Sequence, residues 1–304
     1  MEFNCNVTTV EARSQINSTS YNLVKMVSMC VSCSLHTLLS VPLLVVIARS
    51  PSLLRHARFL LLTHILLCDT LQQLIWTIKS VLLGSKESIP VIQCLLFCSA
   101  IQAFSLVDLF LSTALALDRF VAVKWPLRYD FLLCPQRRRA IVAAIWTLSA
   151  ALCGGASAIG LRTVHASFAL RRCRPHILAP CLSGTSTLML YCMAGTAAVV
   201  PLCFVTILGC FWLLCWDMYS GLLLSRRACV TLSLQATQML LFSIPVVMDS
   251  YLIPGHLHSD FLDIATTITY NLGVSLIPLV YGYRSRELQR RIRQAAHWSA
   301  DSNT

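Results

Sequence analysis

Seven stretches of the chain, about 24–48, 59–83, 91–117, 140–161, 187–215, 228–253 and 261–282, are long and almost wholly apolar. Crossing about 30 Å of hydrocarbon at 1.5 Å per residue takes roughly 20 residues, so each run suffices to span a bilayer. The runs are continuous rather than alternating with period two, which argues against barrel strands. Only helices or closed barrels satisfy every backbone group inside lipid. The sequence therefore predicts an all-α fold, a seven-transmembrane helix bundle. Residues 1–23 form an extracellular tail, 24–283 the bundle, and 284–304 a cytoplasmic tail with a short amphipathic helix. Only 12% of the 304 residues are charged, against about 25% in soluble domains, and mean hydropathy is +0.69. These values exclude disorder, a secreted disulfide scaffold and a water-soluble enzyme.

Lysines and arginines set the orientation. With the N-terminus outside, 16 of the 24 fall on the cytoplasmic side and 8 outside. Including the acids, the inner face carries +11, the outer face +2 and the membrane interior −2. The net charge of +11 is thus a topology signal and not a nucleic-acid footprint. Two glycosylation tripeptides, beginning at Asn6 and Asn17, lie in the tail and agree with this orientation. The first 20 residues lack an apolar core, so the first helix is expected to serve as the insertion signal. Most of the 15 cysteines lie inside the apolar runs, where a thiol behaves as a small apolar group. Cys5, Cys94, Cys173 and Cys181 fall outside, where disulfides persist. A Cys94–Cys181 bond would staple the long outer loop over the bundle; Cys173 is the competing partner.

The third run ends Leu115-Ala116-Leu117-Asp118-Arg119-Phe120-Val121-Ala122-Val123, followed by Lys124-Trp125-Pro126-Leu127. This resembles the Asp-Arg-Tyr signature of rhodopsin-class G-protein-coupled receptors, with Phe120 in the tyrosine position. Other landmarks stand at matching distances: Cys94, 25 residues before Arg119; Asp69 in the second run; Trp146; Pro201; Pro245; and Pro278-Leu279-Val280-Tyr281. The resemblance covers about residues 20–296. It is nearest to the odorant-receptor-like branch, the fish-type odorant receptors and related orphan receptors. Ala116–Val123, Pro126-Leu127-Arg128, the ending Tyr281-Gly282-Tyr283-Arg284 and the short loop of about 216–227 carry that likeness. Departures are equally visible. Ser40, Val41 and Pro42 occupy the stretch of the first-run asparagine, Ser243 the sixth-run tryptophan, Gly209 the fifth-run tyrosine, and Ile277 the asparagine before Pro278.

Asp69 and Asp108 are the two acids deep in the bilayer. Asp69 lies 11 residues from Arg58 and Asp108 lies 11 from Arg119, which places both about 16 Å from the inner boundary. Equal depth on neighbouring helices lets them meet. An acid at mid-membrane costs about 2.5–3.5 kcal/mol on insertion scales, and two adjacent carboxylates ionise together only around a cation. The resemblance implies a sodium site beside the second-run aspartate. The expectation is that Asp108 replaces the ligand lost at Ile277, so that the pair holds Na⁺ or one shared proton. The other reading is a neutral Asp108 serving helix packing.

The resemblance also implies a ligand pocket toward the outer side. Ile101 stands where amine receptors carry an aspartate, and the seventh run has no lysine for a retinal Schiff base. The expected lining is Ile101, Gln102, Ser105, Leu106, Val247, Ser250, Thr267, Tyr270 and Asn271, suited to a small, largely apolar ligand. Arg171, Arg172, Arg174 and His176 could steer an anionic ligand electrostatically. Inside, Asp118, Arg119, Arg226, Arg227 and Tyr281 are the expected G-protein coupling residues. Arg284–Arg293 would lie on the anionic leaflet as an amphipathic helix. The implied partners are membrane lipid, a small molecule and a heterotrimeric G protein, the stimulatory olfactory type if the odorant likeness holds. The implied location is the plasma membrane. Rival readings are a non-olfactory receptor for a lipid or acidic metabolite, and a transporter or channel. No zinc-type histidine pair or nucleophile elbow suggests an enzyme.

Overall fold

The computed structural model describes residues 18–86, 89–163, 169–170, 173, 185–219 and 260–278, with residues 233 and 237. Its long helices are α1 (Ser18–Ala48), α2 (Ala57–Lys86), α3 (Val91–Lys124), α4 (Pro135–Thr163), α5 (Thr185–Tyr219) and α6 (Asp260–Ile277). They correspond to the first five predicted spans and the seventh. The sixth, 228–253 with Pro245, lies outside the described residues, as does the segment 284–304. Among the described residues, four helices are long and apolar enough to cross a membrane, within α1, α2, α3 and α5.

Two boundaries differ most from expectation. α1 starts at Ser18 rather than 24, and its outer turns pack inward, burying Tyr21 and Asn22. α3 runs on to Lys124 rather than ending at 117, so Asp118 and Arg119 lie within the helix. At 34 residues it measures about 51 Å, well beyond the hydrocarbon thickness, and Pro126 follows its end because proline cannot continue the ladder. A small antiparallel ladder was also not foreseen. Residues Ile89–Pro90 pair with Ala169–Leu170, in register Ile89↔Leu170 and Pro90↔Ala169.

α3 is the central element, packed against α2, α4 and α5, while α1 joins α2 to α6. The main core fills the α1–α2–α3–α4 junction with Leu43, Ile47, Ile65, Leu66, Leu111 and Leu115. Trp146 of α4 closes it edge-on against Phe104 of α3, centroids 6.0 Å apart, and against His64 of α2. A second cluster holds α3 to α5 through Leu109, Ala116, Cys203 and Ile207. The outward face of α1 is the reverse: Val24, Val27, Val31, Leu35 and Leu38 recur every three or four residues and are exposed. In water that stripe would drive aggregation; facing acyl chains it is at home. At the outer end Gly84 lets α1 approach α2 closely, because a Cβ there would stand 2.8 Å from Met26 Sδ.

Candidate functional site

The two acids sit where the depth arithmetic puts them. Asp69 on α2 and Asp108 on α3 are each 1% exposed and lie within electrostatic reach of one another. Among the described residues, neither oxygen of Asp69 nor Oδ1 of Asp108 has a hydrogen-bond partner. Buried orphan acceptors are rare, and each calls for a proton, a water or an ion. The three oxygens stand on adjacent helices.

One turn along α2 from Asp69, on the same helix face, stands Gln72. Its Nε2 donates to Ser105 Oγ at 2.9 Å and to the Tyr270 hydroxyl, so both amide hydrogens are engaged. This amide ties α2 to α3 and α6. It also brings together two expected lining residues that sequence alone could place only on separate helices. Gln72 was missed, although a polar residue three positions from a membrane aspartate is a usable signal. Asn271 has a different role: it accepts from Gln73 Nε2 at 3.1 Å and its Nδ2 reaches Met29 Sδ at 3.4 Å, turning toward α1 and α2. Ile101 is buried, while Leu106 and Thr267 are half-buried. Gln102 is exposed, whereas its neighbour Ile101 faces inward, since one residue rotates a helix by about 100°. Val247 and Ser250 lie outside the described residues.

At the inner end, Asp118 is buried and accepts a hydrogen bond of 2.7 Å from the hydroxyl of Tyr129. Tyr129 belongs to the one-turn helix Tyr129–Leu132 in the loop after α3. Burial, and then the bond to Asp118, hold its hydroxyl above the usual phenolic range, so it stays a donor. Arg119, Arg138 and Arg58 supply positive charge around the carboxylate. Phe120, which lacks the family's hydroxyl, packs against the α3–α5 cluster instead. Arg226, Arg227 and Tyr281 lie outside the described residues.

At the outer end, Cys94 is bonded to Cys173, not to Cys181. The ladder beside the bond ties the same loop to the segment just before α3, with Ala169 opposite Pro90. One turn further along α3, Cys98 Sγ stands 3.8 Å from Cys173 Sγ. Cys181 lies outside the described residues, as do Asn6, Asn17 and the run Arg171, Arg172, Arg174, His176.

Comparison with known proteins agrees with this architecture. Residues 39–275 match the 7 transmembrane receptor (rhodopsin family). Olfactory receptor 1E1 of Pan troglodytes is 25% identical over 284 residues, covering 86% of each chain. Olfactory receptor 10D1B of Mus musculus is 28% identical over 205 residues, or 62% of each. A shorter stretch of 56 residues is 38% identical to adenosine receptor A2b of Gallus gallus, covering 18% of this chain and 16% of that one.

Proposed function

Because the chain belongs to the rhodopsin family of seven-transmembrane receptors, a family of receptors and not of enzymes, we propose that it is an odorant-type receptor. In this reading it resides in the plasma membrane with its N-terminus outside. A small, largely apolar molecule binds between α3 and α6, and a heterotrimeric G protein of the stimulatory olfactory type exchanges nucleotide. The similarity to olfactory receptors over most of the chain supports the ligand class. The observation that carries the mechanism is the Gln72 bridge. One amide couples three helices, so a ligand that competes for Ser105 or Tyr270 changes how α6 is held to α2 and α3.

The inner end supports the partner. In the resting arrangement Asp118 is engaged by Tyr129. Beside it, Leu127 is 99% exposed and Phe131 is 76% exposed, with the Arg137 guanidinium 5.7 Å from the Phe131 ring. Exposed apolar side chains rimmed by arginines suit a protein partner. Arg119 is the coupling residue in this reading. The test is a cyclic-nucleotide reporter in cells expressing wild type or Arg119→Ala, beside an ion-flux recording. Loss of reporter signal in the variant, with no flux in either, is expected. Flux that survives the substitution would instead favour a channel.

The three orphan oxygens of Asp69 and Asp108 fit a monovalent cation, and the pair is proposed to hold Na⁺ or one shared proton. A bound cation would neutralise the pair and brace α2 against α3. Sodium titration of basal reporter output in wild type and Asp108→Asn checks this. Equal responses overturn it.

A further inference from the structure

Three sulfur atoms meet at the outer end of α3, where two suffice to hold the loop. Cys94 and Cys98 stand four residues apart on α3, one above the other on the same helix face. Cys94 is bonded to Cys173, yet Cys98 Sγ lies 3.8 Å from Cys173 Sγ, and all three sulfurs fall within 4.8 Å of one another. Cys98 retains its thiol. The surroundings are apolar: Leu83, Ile89 and Leu95 cluster with Cys94 and Cys173, and Cys98 packs against them. Cys94 and Cys173 are buried, whereas Cys98 is half-buried. A thiol that only filled space, as a small apolar group, would need no sulfur beside it. This one touches a disulfide.

We propose that Cys98 is a second bonding partner for Cys173, so that the outer loop is held at either of two positions one turn apart on α3. The step is a thiol–disulfide exchange, in which a thiolate attacks a disulfide sulfur. Cys98 gives up its proton to water, and its sulfur attacks Cys173 Sγ. The Cys98–Cys173 bond forms as the Cys94–Cys173 bond breaks, and Cys94 leaves as a thiolate that takes up a proton. One disulfide and one thiol stand on each side, so no oxidant or reductant is consumed. Cys98 Sγ lies within 4.8 Å of Cys94 Sγ as well, so it stands beside the bond, and rotation about its χ1 brings it into line. Closing the gap to Cys173 takes a movement of about 2 Å. The consequence is mechanical. Four residues of helix rise about 6 Å, so exchange carries residue 173 that far along α3, toward Ile101 on the next turn.

The test maps the bonds of the full chain in total cell membranes, so that a poorly trafficked variant is still read. Thiols are trapped with N-ethylmaleimide before and after incubation at alkaline pH, and unreduced peptides are sequenced by mass spectrometry. Wild type should show Cys94–Cys173 with labelled Cys98. Alkaline incubation, which raises the attacking thiolate, should add about 5% or more of Cys98–Cys173 with labelled Cys94. Cys98→Ser should abolish the second species and leave the first. In Cys94→Ser, Cys98 should take up Cys173 and keep surface receptor within about threefold of wild type, whereas the double variant Cys94→Ser/Cys98→Ser should fall about tenfold or more. Three results would overturn the proposal: no Cys98–Cys173 in alkaline wild type; Cys98 and Cys173 both labelled in Cys94→Ser; or Cys173 joined equally to Cys30 or Cys33, the mark of random scrambling.

Discussion

α2 carries one member of each of two like-charge pairs, and their contrast is instructive. Asp69 meets Asp108 across the α2–α3 contact at mid-membrane; ten residues on, about 15 Å, Lys79 shares a cleft with Lys25 of α1. The acids are sealed in, with acceptor oxygens that nothing described here satisfies. The lysines lie at the headgroup level in an open cleft, and an aromatic ring is shared between them. Like charges are held together in both places, and in the reading proposed above the acids take up a small cation or a proton. One helix thus presents two electrostatic sites of opposite sign at two depths.

The most severe way to break the comparison is to remove the outer wall. Cys173→Ser should lower surface receptor more than tenfold, since losing a native disulfide costs about 2–5 kcal/mol. Immunolabelling of intact cells measures this, and an equal loss in Cys181→Ser alone would contradict the observed pairing. Next in size, Asp69→Asn should shift sodium sensitivity of basal signalling about tenfold, in line with the strong mutual influence of adjacent carboxylates. Sodium titration of reporter output reads it. If the pairs act separately, Lys79→Met should leave the sodium midpoint within about twofold; a shift larger than that would mean the two ends of α2 are one system. The smallest effect is expected for Tyr129→Phe. It deletes one hydrogen bond to Asp118, worth about 1 kcal/mol net, so basal reporter output should rise roughly fivefold.

Much of the mid-membrane site was legible because helical rise is constant. Counting 11 residues from Arg58 and from Arg119 put Asp69 and Asp108 at one depth, and the folded chain brings them within electrostatic reach. The apolar runs likewise gave the helices, since the length a bilayer requires leaves little freedom. Helix phase was harder to read. Ile101 and Gln102 are neighbours in sequence but one is buried and the other exposed, and Asn271 turns toward Met29 rather than toward Ser105. The disulfide was beyond sequence arithmetic, because Cys173 and Cys181 share one loop and only the folded chain chooses between them. The lysine cleft was hidden for a related reason. Lys25 and Lys79 are 54 positions apart, and each reads alone as an ordinary outer-face charge.

The spacing of that cleft comes down to a missing carbon. Gly84 allows α1 to rest against α2 through Met26, and a single methyl group at residue 84 would have to displace the methionine sulfur. The distance between the two helices there is therefore set by contact between the helices themselves. Gly84→Ala would act like a shim in a hinge, altering the fit of the cleft while leaving every charged group in place.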